Sequence, residues 1–205
     1  MKPADTQEHL SQVVQHLSSK LIDLAMRSWL SLHASTEVAQ ELAKDPFTSE
    51  LKSQAATAEF LILLLHACDR IAAAAFHTAL PSQAAPVLRN AFMAALVGVT
   101  LPAFARTACS AEEVEEVEET QADLLHLYNT RVTQYGFFPL GSTNPPNGNE
   151  PLVTLVGIRL AEALECPENS EVITHGVEAV MRSLAALRQE LPLKETLGQL
   201  IAGLQ

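Results

Sequence analysis

The chain has 205 residues, enough for a single domain with six or seven helices around one core, and size does not limit its stability. Hydrophobic residues make up 48% and aromatics only 5%, so the interior must be packed mainly with Leu, Ala and Val, a composition that favours helices over sheets. Twenty-four acids against 13 bases leave a formal charge of −11, and no stretch gathers Lys or Arg, which argues against nucleic acid and anionic membrane as partners.

In chain order, the start Met1-Lys2-Pro3-Ala4-Asp5 has no apolar run and does not read as a secretory signal. From Asp5 onward, Leu10, Val14, Leu17, Leu21 and Leu24 alternate spacings of four and three, the pattern of an amphipathic helix that fades before the turn at Asp45-Pro46. A long second helix is expected from about Ser49 to Thr78, stopping ahead of Leu80-Pro81. A third, near Val87 to Phe104, carries the small residues Ala91, Ala94, Ala95 and Gly98, and Pro102 should end or kink it. The uncharged stretch from Ala91 to Ala105 is shorter than the roughly 20 residues a bilayer crossing needs. We read it as a core helix, with no membrane span.

Ser110 and Glu113 have the spacing of a capping box, and a fourth helix with a buried stripe of Val114, Val117, Gln121, Leu124, Leu125, Tyr128 and Val132 should run from there to Gly136. The acids between Glu112 and Glu119 sit where the helix dipole favours negative charge, and they read as a solvated face. Residues Gly136 to Glu150 contain Phe137-Phe138-Pro139, Asn144-Pro145-Pro146 and Asn147-Gly148, which is turn chemistry, so a flexible loop is expected near 136–150. Phe137 and Phe138 are candidates for a partner contact or for a lid folded over the helices. Helical spacing resumes over Leu152 to Leu164, breaks at Cys166-Pro167, and runs unbroken from Ile173 through Leu191. A short amphipathic tail with Leu197, Leu200, Ile201 and Leu204 follows Pro192. The regular four-three pattern suits antiparallel packing in a bundle, and equally self-association.

Cys68, Cys109 and Cys166 are odd in number and far apart, which suits neither a disulfide framework nor a zinc site and points to a reducing, cytoplasmic setting. No phosphate loop, nucleophile elbow or zinc-protease motif is present, so the residues call for no metal and no cofactor.

The second helix is the most informative element. At 100° per residue, Glu59, His66, Arg70 and His77 fall within about 40° of one another, forming a narrow polar stripe on an otherwise apolar cylinder. Three readings are open: a structural network in which Glu59 and Arg70 are paired, a ligand or metal site, or simple exposure. The fourth helix offers Glu119, Asp123 and His126 as further metal ligands, but all three lie away from its apolar stripe and neither Glu-x-x-His motif of di-iron bundles occurs. Cys68, two residues after His66, lies on a different side of the helix, which disfavours a Cys-His nucleophile pair.

His66-Ala67-Cys68-Asp69-Arg70-Ile71-Ala72, the segment from Arg89 to Met93, and Tyr128-Asn129-Thr130-Arg131 with Tyr135 together resemble a pattern of uncharacterised bacterial all-helical proteins. The resemblance covers roughly residues 59 to 140 and brings no activity with it. It implies that Asp69, Arg70, Asn129 and Arg131 are the positions to watch, since Asn129 and Arg131 flank the buried stripe of the fourth helix and are placed to meet the second. The resulting expectation is a helical binding or assembly protein with a protein partner or self-association. The alternative is a small-ligand-binding or metal-dependent enzyme using the polar stripe.

Overall fold

The alternating three- and four-residue spacings become eight α-helices, with no strand among the described residues, in a computed structural model that describes residues 3–108, 114–136 and 151–204. In order these are α1 (Pro3–His33), α2 (Thr36–Lys44), α3 (Ser49–Ala79), α4 (Ala84–Ala108), α5 (Val114–Tyr135), α6 (Pro151–Ala163), α7 (Ser170–Glu190) and α8 (Leu193–Leu204). The all-α class holds, but the count exceeds the expected six or seven by the short α2. Its start is set by Ser35, whose extended backbone leaves the first helix and whose hydroxyl accepts the Val38 amide at 3.4 Å. Val38 and Leu42, four apart, bury its inner face.

Helix α4 runs beyond the expected Val87 to Phe104 at both ends, and Pro102 does not end it, since the helix continues to Ala108. The proline removes one backbone hydrogen bond, and the burial of Phe104 and Ala105 in the next turn outweighs that loss. The capping box at Ser110 and Glu113, the residues Phe137 and Phe138 and nearly all of the expected loop near 136–150 lie outside the described residues.

The chain divides into two compact units, each assembled from separated stretches: Met1–Ile22, Leu65–His126 and Arg188–Gln205 form the first, Asp23–Leu64 and Leu127–Leu187 the second. In the first unit the core is built from Leu17, Leu21, Ala72, Phe76, Phe92, Leu96 and Leu197, and Phe76 meets Phe92 edge-on at 6.2 Å between ring centres. In the second unit Phe60 through Leu64 are fully buried and are joined by Leu32, Val156, Leu160 and Val180. Helices α6 and α7 cross there at Gly157 and Gly176, where the two backbones come so close that a Cβ on Gly157 would lie 2.7 Å from Val177 Cγ2 and 3.0 Å from the Ile173 carbonyl.

The turn after α6 is tied down by charge. Glu165 takes a left-handed backbone (φ 58°), and its carboxylate reaches the largely buried Lys52 of α3 at 2.8 Å. Asn169 then caps α7, accepting from the Glu171 and Val172 amides while its own amide donates to Glu41 of α2 at 2.8 Å.

By length and composition alone α3 and α4 reach what a bilayer crossing requires, with mean hydropathies of 1.5 and 1.6 in their most apolar windows, of which 67% and 39% are buried inside the protein. In α4 the helix extends beyond the stretch from Ala91 to Ala105, which alone is shorter than a crossing needs.

Two glycines test the packing in opposite directions. Gly157→Ala should lower stability by about 1–3 kcal/mol despite alanine's better helix propensity, because the new methyl meets backbone that cannot yield. Gly98→Ala, at a helical position where a Cβ meets nothing within 4 Å, should raise stability by about 0.5–1 kcal/mol. Thermal melts of both variants beside the parent protein measure the contrast.

Candidate functional site

The polar stripe of α3 is not one site, because its members fall in both units. Glu59 belongs to the second, whereas His66, Asp69, Arg70 and His77 belong to the first.

In the second unit Glu59 is surrounded by apolar residues of α3, and its side chain is only 3% exposed. A bare carboxylate there would forfeit its hydration, so it has to be matched by donors. Arg131 and Tyr135 supply them, and their spacing of four puts both on one face of α5. Arg131 Nε donates to both carboxylate oxygens at 2.8 and 3.1 Å, and Nη2 donates to Oε1 at 2.6 Å. The Tyr135 hydroxyl donates to Oε2 at 3.1 Å. Both oxygens are thereby occupied. Burial pushes the Tyr135 phenol far up, with the Glu59 charge adding to the effect, so it remains a protonated donor. Burial works against the charge of Arg131, but the hydrogen bonds and attraction from Glu59 outweigh it and hold the guanidinium above its ordinary value. From Arg131 the network continues outward: Gln134 Oε1 accepts from Arg131 and from Arg159, each at 3.3 Å, and Arg159 pairs with Glu162 at 2.6 Å.

In the first unit Asp69, also buried, receives a two-pronged contact from Arg89 of α4, with Nε to Oδ1 at 2.7 Å and Nη2 to Oδ2. Arg70, the expected partner of Glu59 in the stripe, is exposed and makes no ion pair among the described residues, so the pairing of Glu59 with Arg70 is corrected to Arg131, and Asp69 pairs with Arg89. His66 is 2% exposed, and burial, followed by the nearby charge of Arg70, lowers its pKa below the ordinary 6.5. His77, near the end of α3, is exposed, as is Asn129. Of the two α5 positions expected to meet α3, Arg131 does so and Asn129 does not.

Cys68 is fully buried and its thiol is pushed up to about 12 by loss of hydration, so it carries no thiolate at neutral pH. Glu119, Asp123 and His126 are exposed on α5, and no cluster of three or more His, Cys, Asp or Glu suited to a metal occurs among the described residues. A depression of about 500 Å³, open to solvent, lies in the second unit between His33, Leu42, Pro46 and Ser53, and none of the stripe residues lines it.

Two exposed features were not foreseen from the sequence. Phe47 is 97% exposed and is held out by a turn in which Asp45 accepts the Phe47 amide at 3.2 Å and the Thr48 hydroxyl at 2.9 Å. The Asp45-Pro46 pair signalled the turn, but nothing nearby signalled that its aromatic residue faces water. On α5 the stripe expected to be buried is bare at its start: Val114 is 73% and Leu125 46% exposed, and only Leu124 is buried. Helical spacing identifies a common face without revealing whether anything packs on it.

Replacing Arg131 by Met should strand the Glu59 carboxylate and cost about 3–5 kcal/mol in a denaturant titration, whereas Arg70→Met should stay within about 0.5 kcal/mol of the parent. His66 gives a pH signature. Its folded pKa lies below the unfolded 6.5, so the unfolded chain takes up the proton first and stability falls as pH drops below about 6.5, until the folded pKa is passed. The parent should therefore melt lower at pH 5.5 than at pH 7.5, and His66→Gln should reduce that difference.

No family model matches the chain, and no curated protein and no solved structure does so either.

Proposed function

We propose that the chain is a cytoplasmic helical binding or assembly protein, in which the polar residues of α3 fasten helices together and the exposed surface meets a protein partner or a second copy. The observation that carries this reading is the saturation of Glu59: a buried carboxylate whose oxygens are already taken by Arg131 and Tyr135 has no lone pair directed at a substrate or metal. Asp69 is engaged by Arg89 in the same manner. The net charge of −11 supports a protein partner over nucleic acid or an anionic membrane. For α3 and α4 the reading is that of core helices, supported in α3 by the 67% burial of its most apolar stretch.

The competing class is a small-ligand-binding or metal-dependent enzyme centred on Glu59, His66, Asp69, Arg70 and His77. Protein purified without an affinity tag, taken through elemental analysis and native mass spectrometry, separates the two. The expected result is a mass equal to the polypeptide or a multiple of it, with no equimolar metal or organic ligand. A stoichiometric metal or metabolite that disappears in Asp69→Asn would replace the binding reading with the enzymatic one.

A further inference from the structure

The depression beside α2 and the bare ring of Phe47 are neighbours in the second unit, and both belong to its stretch Asp23–Leu64. The lining is apolar at Leu42, Ala43 and Pro46, aromatic at His33 on the end of α1, and polar at Glu50 and Ser53 near the start of α3. Phe47 follows Pro46 directly, so its ring stands at the rim, yet it is 97% exposed and leaves the hollow empty of its own side chain. Three hydrogen bonds fix the turn in this form. Asp45 accepts from the Phe47 amide at 3.2 Å and from the Thr48 hydroxyl at 2.9 Å, and Ser49 Oγ donates to the Pro46 carbonyl at 2.8 Å. A ring projected by a fixed turn has little freedom left to lose when something covers it. On α1, Met26 and Leu30 are 47% and 60% exposed, and with His33 they follow spacings of four and three along one face, which carries bare apolar surface up to the hollow.

The choice of occupant follows from the ring and the hollow being adjacent. In a twofold pair of identical chains one patch must meet itself, so a protrusion and the cavity that receives it have to lie side by side. A ring remote from the hollow would link copies head to tail. A hollow of about 500 Å³ has ample room for a phenyl ring. Two rings at roughly 150–250 Å² each, with an equal area of wall beneath them, come to about 600–1,000 Å², the low end for a specific contact.

We propose that this face joins two copies of the chain in a weak twofold pair, the Phe47 ring of each seated in the hollow of the other between Leu42, Ala43 and Pro46. This rests on the reading of the chain as a binding or assembly protein and names its partner as a second copy. Each copy carries a net charge of −11, so the pair forms against a general repulsion that salt screens. Added salt should therefore tighten it, whereas docking of an oppositely charged partner would loosen.

Sedimentation velocity of the whole protein over a concentration series should show a monomer–dimer equilibrium with a Kd on the order of tens of micromolar, lower at higher salt. Trp29, the one tryptophan of the chain, lies 5.5 Å from His33 between ring centres, so its emission should shift over the same concentrations. Phe47→Ser changes only an exposed side chain and should weaken the pair about a hundredfold, since both contacts are lost, with an unchanged thermal melt. Ala43→Gln, also at an exposed position, puts a longer side chain into the hollow and should do the same. Mixed in equal amounts, the two variants keep one complete contact, so their heterodimer should be only about tenfold weaker than the parent pair. A parent that stays monomeric well above that concentration, a Phe47→Ser variant that pairs as tightly as the parent, a mixture no tighter than its components, or masses growing beyond the dimer would each overturn the pairing. Such a result removes this contact alone, whereas the wider binding reading is decided by the metal and ligand content of the purified protein.

Discussion

Placing the carboxylate of Glu59 among leucines sets a condition that the second unit has to meet. Taking such a group out of water costs several kcal/mol, recovered only if donors arrive in the right geometry. Arg131 and Tyr135 reach the two oxygens together, one helical turn apart, so α5 has a single register against α3 in which both succeed. Sliding or rotating α5 by one residue would leave a buried anion with one donor or none. Apolar contacts tolerate small shifts at modest cost, and this contact does not. The outward chain through Gln134, Arg159 and Glu162 extends the same condition to α6.

The first unit uses the same device with different partners. Asp69 and Arg89 lock α3 to α4 within that unit, beside a core whose remaining contacts are aliphatic or edge-on aromatic. Charged groups buried this way add little net stability compared with apolar residues of the same shape, but they discriminate strongly against wrong packings. That role suits a chain with 48% hydrophobic residues and few aromatics, in which many Leu and Ala surfaces would otherwise be interchangeable. Of the polar residues that attract notice in the sequence, Glu59, Asp69 and Arg131 meet this demand, whereas Arg70, His77 and Asn129 are exposed.

Helix type and approximate extent were readable wherever apolar spacing persisted over several turns, as from Leu10 to Leu24 and from Ile173 to Leu191. The short α2 escaped because two buried residues, Val38 and Leu42, are too few to establish a period, although the Ser35 cap was present to be read. Pro102 misled because the cost of a proline is local, whereas the burial of Phe104 and Ala105 depends on the tertiary environment. The stripe on α3 was legible as a shared face, and its partners were not. Choosing Arg131 and Arg89 over the adjacent Arg70 requires knowing which helix packs on which face, and spacing within one helix carries no such information. The same gap explains α5, where a correct stripe was assigned to an interior that does not cover its beginning.

The way the chain is threaded has a further consequence. Each unit draws on stretches far apart in sequence, and every boundary, between residues 22 and 23, 64 and 65, 126 and 127, and 187 and 188, falls inside a helix: α1, α3, α5 and α7. Neither unit can be excised as a contiguous fragment, and no single backbone cut releases one intact. Many native contacts must therefore join residues remote along the chain, a topology that slows folding because long loops are closed before their contacts form. A ribosome-bound chain has to emerge through most of α7 before the second core has all its components and into α8 before the first does, so its earlier helices wait with apolar faces uncovered.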